Sequence, residues 1–223
     1  MKSKPIEINP IFPSILSTNF FNLEPKLQLM QTGGITCLHL DIMDGHFVDT
    51  ITFGPSMCRS IHDRFPFRLD AHLMVSNPGH MIPQFIKAGA EWISIHIETE
   101  HVMESLAAIR NLGGKPGLAI NPDCPIEKVF PMLPEIDFLL IMSVVPGQGG
   151  QKFIPQTLER VRVAAAEIER LELPCKIQVD GGIRSDNVDL VQEAGAHWFV
   201  VGTNLYNSDQ VDTTINEIFS RLR

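Results

Sequence analysis

Short apolar runs alternate along the chain with polar or glycine-bearing turns, and then with longer amphipathic stretches. The apolar runs fall at residues 11–16, 37–42, 68–73, 92–96, 116–120, 138–142, 176–179 and 198–201, and predict eight strands. Helical periodicity is clearest over 157–171, where Leu158, Val161, Ala165, Ile168 and Leu171 recur at steps of three and four. A second amphipathic stretch covers 185–194, with Ser185 as its expected N-cap and Gly195 as its stop. Gly33, Gly89 and Gly113 likewise follow candidate helices. Eight repeats in 223 residues average about 28 residues each, the size of one βα unit. Strict βα alternation implies parallel strands and right-handed crossovers. The expectation is an α/β chain forming a single (β/α)₈ TIM barrel over residues 1–223. An open doubly wound sheet is the rival, but no GxGxxG follows the first strand.

In such a barrel, chemistry gathers at the C-terminal ends of the strands. Residues i and i+2 of a strand share a face. His39 and Asp41 therefore project together from the end of the second strand, and His72 from the end of the third. Asp180 closes the seventh strand, just before Gly181-Gly182. Any one of these alone would read as a satisfied polar group in the barrel interior. Four metal-type residues at one end of three strands read as a site for a divalent transition metal. Zn²⁺ suits that donor set first, with Fe²⁺, Mn²⁺ or Co²⁺ as alternatives. Asp70, two residues before His72, would lie one layer deeper and back a ligand histidine. Asp44, before Gly45, reads as a turn residue. His96 and Glu98 could line the pocket without direct chemistry, whereas His46, His62, His80, His101 and His197 read as loop or surface positions.

A metal beside two carboxylates suits proton transfer next to a carbonyl. Polarising the carbonyl oxygen acidifies the neighbouring C–H. One carboxylate would take the proton, giving an enediolate stabilised by the metal, and the other, initially protonated, would return a proton to the opposite face. The stereocentre inverts without redox chemistry.

Charge and composition narrow the partner. The net charge of -8 argues against nucleic acid and against an anionic membrane surface. An anionic substrate would need a local holding device. Three consecutive strand ends provide one in Gly147, Gln148, Gly149 and Gly150, in Gly181-Gly182, and in Gly202-Thr203. Glycines let backbone N–H groups approach a phosphate, and helix N-termini add favourable dipoles. Met43, Met74 and Met142 end the second, third and sixth strands. Core packing accounts for them most simply, and a soft apolar wall of the pocket is the functional reading. The four cysteines form no CxxC pair, and Cys37 and Cys175 sit in or beside apolar runs, so small buried hydrophobes in a reducing cytoplasm are expected. The opening Met1-Lys2-Ser3-Lys4-Pro5 leads into no signal-like apolar segment, and no apolar run is long enough to span a bilayer.

These motifs resemble those of the ribulose-phosphate 3-epimerase family. The resemblance rests on Pro13-Ser14-Ile15-Leu16-Ser17, the stretch from His39 to Val48, and Thr52-Phe53-Gly54-Pro55. It continues through His72-Leu73-Met74-Val75, Asn121-Pro122, Met142-Ser143-Val144, the loop from Pro146 to Gln151, and Val179 to Ile183. It implies an isomerase of the pentose phosphate pathway, interconverting ribulose 5-phosphate and xylulose 5-phosphate on a TIM barrel with one divalent metal, often zinc. It further implies Ser14 and His72 as substrate contacts and His39, Asp41, His72 and Asp180 as metal ligands. Asp41 becomes the proton acceptor and Asp180 the donor, and the Gly-bearing loops with Thr203 hold the phosphate. A homo-oligomer is implied as well. The chain departs from the family pattern at Thr18-Asn19, Asp49-Thr50, Val145, Gln148 and Thr203-Asn204. These positions cluster at the pocket mouth and leave the metal set intact, so the sugar is the open question. Another ketose phosphate such as allulose 6-phosphate is the nearest alternative, and a non-catalytic phosphosugar-binding barrel is a second. The Asp-x-Lys-x-x-Asp pattern of orotidine-type decarboxylase barrels is absent, since the chain reads Asp41-Ile42-Met43-Asp44.

Overall fold

The computed structural model describes residues 8–206 and 211–222. Met1 to Pro5 and the side chain of Asn204 lie outside the described residues. Eight strands run parallel around one barrel: β1 (Ile11–Pro13), β2 (Cys37–Met43), β3 (Arg68–Met74), β4 (Ala90–His96), β5 (Lys115–Ile120), β6 (Phe138–Met142), β7 (Lys176–Asp180) and β8 (Trp198–Val201). Neighbours pair in the order β1-β8-β7-β6-β5-β4-β3-β2. A parallel bridge between Ser14 and His39 closes the seam between β1 and β2. Among the described residues, eight α-helices lie outside: α1 (Leu23–Thr32), α2 (Pro55–Arg64), α3 (Pro78–Lys87), α4 (Val102–Asn111), α5 (Thr157–Arg170), α6 (Val188–Glu193), α7 (Thr203–Tyr206) and α8 (Val211–Arg221). No helix among the described residues is long and apolar enough to cross a membrane.

The expected strands are all present, β6 and β8 with the expected bounds and the other six with shifted ends. β1 stops at Pro13 and not at residue 16: Ser14 N still donates to Val201 O of β8, but Ile15 N turns to His39 O of β2. The fifth connection is a 3₁₀ helix, Ile126–Glu135, containing Pro131 and Pro134, whose missing N–H groups remove the bonds an α-helix needs. The expected helix over 185–194 begins only at Val188, so Ser185 is not its cap. Asn187 takes the cap position, but its Oδ1 accepts from Arg184 N and its Nδ2 donates to Gly182 O, so its side chain braces the turn behind Gly182. Gly33, Gly89, Gly113 and Gly195 do end helices.

Alternation along the strands builds two cores. Leu38, Leu40, Ile42, Leu69, Leu73, Ile93 and Ile95 face the helices. The alternate positions face inward, and at the N-terminal floor Phe12, Trp92, Phe138 and Trp198 pack ring against ring at 5.2–6.0 Å. Gly117 is required there, since a Cβ at that position would lie 2.2 Å from the Phe138 ring. This aromatic plug closes the bottom of the barrel. The polar inward residues stand above it, towards the C-terminal mouth. The four cysteines are buried and free.

Candidate active site

The register sets the site. His39 lies opposite Asp70, and Asp41 opposite His72, across the β2–β3 ladder. The inward face thus alternates acid and imidazole on both strands. His39, Asp70 and His72 are fully buried and Asp41 nearly so. Asp180, at the end of β7, keeps 15% of its side chain exposed and opens to the mouth.

His39 Nδ1 lies 2.8 Å from Asp70 Oδ2, which turns Nε2 towards the other acids. That Nε2 is 3.3 Å from Asp41 Oδ1 and 3.8 Å from Asp180 Oδ2. His72 Nδ1 sits at the same two distances from the same two oxygens. One donor atom from each of His39, Asp41, His72 and Asp180 lies within 4.8 Å of the others. His39 Nε2 is buried and has no hydrogen-bond partner among the described residues. An orphaned buried nitrogen facing two carboxylates and a second imidazole is a cost in a closed core, and the same four atoms make a usual donor set for a divalent transition metal. The residues therefore fit a metal.

Electrostatics separates the two acids. Burial alone would raise Asp41, but His39 and His72 outweigh it and hold its carboxyl well below the usual range. Ser14 Oγ donates to Asp41 Oδ2 at 2.5 Å, which further favours the carboxylate. Asp180 is pushed up to about 7, first by burial and then by the charge of Asp41. Burial favours a neutral His39, yet Asp41 and Asp70 on either side outweigh it and raise the ring well above its ordinary value. Positive charge is thus drawn to this point. His72, burial being the main cause, is pushed down to about 4 and is neutral.

Above the cluster opens a cavity of about 290 Å³. Its walls include Ser14, Asp41, Asp180, Met43, Met74 and Met142, together with Gly147, Gln148, Gly149, Gly150, Gly181, Gly182, Gly202 and Thr203. The residues expected from the sequence as metal, acid-base, phosphate or wall positions converge here except His39 and His72, which lie beneath as the floor of the cluster, whereas His96 and Glu98, expected as pocket liners, do not reach the cavity. Gly182 has φ +66°, and a Cβ there would come within 2.5 Å of Phe153 N. Three departures from the family pattern have structural roles. Thr50 Oγ1 donates to Gly147 O at 2.7 Å, Thr203 Oγ1 and Ser17 Oγ are 2.8 Å apart, and Asn19 accepts from Phe21 N at the start of the 3₁₀ turn Phe20–Asn22. Val145 is 63% exposed and stands off the cavity wall.

Sequence reasoning missed three groups and misplaced a fourth. Gln178, inward two residues before Asp180, donates from Nε2 to Asp70 Oδ2 at 2.8 Å. Thr52 accepts from Met43 N and donates to Asp41 O, pinning the end of β2. Arg184 lines the cavity two residues after Gly182 and places a cation on a rim expected to rely on backbone amides. His96, set aside as a pocket liner, touches His72 directly with Nε2 atoms 2.8 Å apart and does not reach the cavity. The i, i+2 rule applied to β4 and β7 would have found Gln178 and His96.

A family model described as the ribulose-phosphate 3 epimerase family matches residues 10–206. The chain belongs to the ribulose-phosphate 3-epimerase family. It is 39% identical over 209 residues to a ribulose-phosphate 3-epimerase of Aquifex aeolicus, covering 93% of this chain and 94% of that protein. The Bacillus subtilis ribulose-phosphate 3-epimerase is 37% identical over 93% of this chain and 97% of its own length. The cytoplasmic isoform from Oryza sativa is 36% identical over 96% and 92%. Among solved structures, 3-hexulose-6-phosphate synthase from Salmonella typhimurium superposes with a TM-score of 0.73 at 15% identity, covering 96% of this chain and 98% of that one. A tryptophan synthase α-subunit from Pyrococcus furiosus gives 0.70 at 14%, covering 94% and 96%. At such identities these two show the barrel fold alone.

Proposed function

We propose that the protein, as one barrel domain over residues 1–223, interconverts ribulose 5-phosphate and xylulose 5-phosphate by inverting C3. The observation that carries this is the pair Asp41 and Asp180, three strands apart around the barrel, with opposite ionisation at the same cluster. Asp41, ionised and held by Ser14, takes the C3 proton from one face. Asp180, which burial and the charge of Asp41 push up to about 7, is partly protonated at neutral pH and in that form gives a proton to the other face. Its residual exposure to the cavity lets it exchange with solvent between turnovers. In the reverse direction the roles exchange, as microscopic reversibility requires. His39, Asp41, His72 and Asp180 would hold one divalent ion, Zn²⁺ before Fe²⁺, Mn²⁺ or Co²⁺. When bound, that ion supplies positive charge that polarises the substrate carbonyl and makes the C3 proton acidic.

The substrate's other end is held without global positive charge. Gly147, Gly149, Gly150, Gly181, Gly182 and Gly202 offer backbone amides to the phosphate, with Gln148, Thr203 and Arg184 beside them. Met43, Met74 and Met142 form the apolar wall over the reacting carbon, where excluding water strengthens each charge interaction. The protein acts on a small ketose phosphate in the cytoplasm, as a homo-oligomer, with neither nucleic acid nor membrane as partner; its net charge of -8 supports that reading.

The test is turnover of ribulose 5-phosphate to xylulose 5-phosphate, with and without a chelator. The expected result is activity lost on chelation and restored by Zn²⁺. Turnover untouched by exhaustive chelation would overturn the metal. Inactivity with metal restored would overturn the pentose substrate and leave another ketose phosphate, or the non-catalytic binder, as the reading.

A further inference from the structure

The two imidazoles of the cluster present different nitrogens to it. His39 uses Nε2 because Asp70 engages its Nδ1. His72 presents Nδ1, 3.3 Å from Asp41, and turns Nε2 away. A neutral imidazole has one N–H. If Nδ1 is to offer a lone pair to a metal, the proton of His72 must sit on Nε2 and needs an acceptor. His96 Nε2, fully buried and 2.8 Å away, is that acceptor. The single proton of His96 then lies on Nδ1, which is 3.1 Å from Glu98 Oε2. Glu98 completes the series as a carboxylate. Burial would raise it, but His96 and the Asn121 N–H hold it below its ordinary range.

The opposite proton order would place an N–H of His72 towards Asp41, where the cluster needs a lone pair. It would also leave a carboxylate at the far end facing a lone pair of His96. With a metal on Nδ1 of His72, only the first order satisfies every atom.

The outer end of this series is fixed. Asn121 N donates to Glu98 Oε1 at 2.9 Å. The carbonyls of Asn121, Pro122 and Cys124 accept from Arg160 of α5 at 2.9, 3.1 and 2.6 Å. The ring of Phe47 packs on His96 with centroids 4.7 Å apart. Neither His96 nor Glu98 lines the substrate cavity.

We propose that His96 and Glu98 are positioning residues that fix His72 as an Nδ1 ligand, doing through an intervening ring what Asp70 does directly for His39. This rests on the reading of the four-residue cluster as a metal site. A histidine ligand that loses its outer acceptor typically costs 10–100-fold in metal affinity.

The test is the Zn²⁺ dissociation constant, measured by competition with a chromophoric chelator, for the whole protein and three variants. His96→Leu removes the acceptor and is expected to weaken Zn²⁺ by about 10–100-fold. His96→Gln can accept from His72 with its amide oxygen and is expected to recover most of that loss. Glu98→Gln leaves the buried ring in place and is expected to weaken Zn²⁺ by about 10-fold, so the test survives if His96→Leu fails to fold. At saturating Zn²⁺ the KM for ribulose 5-phosphate should stay unchanged in all three, since the cavity wall is untouched. Unchanged Zn²⁺ affinity in His96→Leu and Glu98→Gln would overturn the proposal. Equal weakening by His96→Leu and His96→Gln would overturn it too. Failure of the unaltered protein to bind Zn²⁺ would instead overturn the metal site itself.

Discussion

Asp41 and Asp180 carry the same functional group, and their neighbours push their ionisation in opposite directions. Asp41 has two imidazoles and a serine hydroxyl around its oxygens. Asp180 has mainly burial and another acid's charge. Replacing Asp180 by Asn removes the transferable proton while keeping shape and size. At saturating Zn²⁺, kcat is expected to fall by about 10²- to 10⁴-fold, the usual worth of a positioned acid or base, with a much smaller change in KM. Steady-state kinetics on the variant checks this, and a change in KM alone would assign Asp180 to binding. At this scale the four cluster residues were legible from chain position because each lies on an inward face at a strand end. Their protonation order was not, because it depends on contacts that Asp70, Gln178, His96 and Ser14 make between strands.

Elements hold these side chains through their ends. The β2–α2 connection begins at Asp44, whose Oδ1 accepts from His46 N and Phe47 N and whose Oδ2 accepts from Ser76 N after β3. Asp44 was read from the sequence as a turn residue, and it is one. Partial burial pushes this acid up, but the three N–H groups outweigh it and hold it at about 2. The unfolded value is about 3.9. A folded value below the unfolded one gives stability that is fully present above about pH 4 and is lost as the pH falls towards 2. Asp44→Asn should therefore flatten the acid limb of the metal-free protein between about pH 4 and 2 and change little at pH 7 beyond a constant offset. Denaturant unfolding across that range measures it, and parallel limbs for the two proteins would contradict it. Periodicity made the strands and α5 legible, since a two-residue or near-four-residue repeat is local. It did not reveal the 3₁₀ helix Ile126–Glu135, where Pro131 and Pro134 override an apolar spacing of otherwise helical kind. Nor did it reveal that Asn187, not Ser185, stands at the cap of α6, because that choice is set by Gly182 across the turn.

At the scale of the whole molecule, an aromatic floor of Phe12, Trp92, Phe138 and Trp198 closes the barrel at one end. Acids and imidazoles fill the next layers, and glycine-bearing loops surround the mouth. On the proposed reading, this order of layers lets an acidic protein receive an anion: the negative residues of the site would lie beneath the substrate, and backbone amides at the rim would meet the phosphate. The central claim is that two different carboxylates serve the two faces of C3, and it can be read in one experiment. Ribulose 5-phosphate is converted in D₂O under initial-rate conditions, and the C3 hydrogen of the xylulose 5-phosphate is determined by NMR. Two acids predict deuterium at C3 of the product from the first turnover, while unconverted substrate at early times still carries hydrogen. Product that retains the substrate's own hydrogen at C3 would mean one group carries the proton across both faces, and would contradict the account.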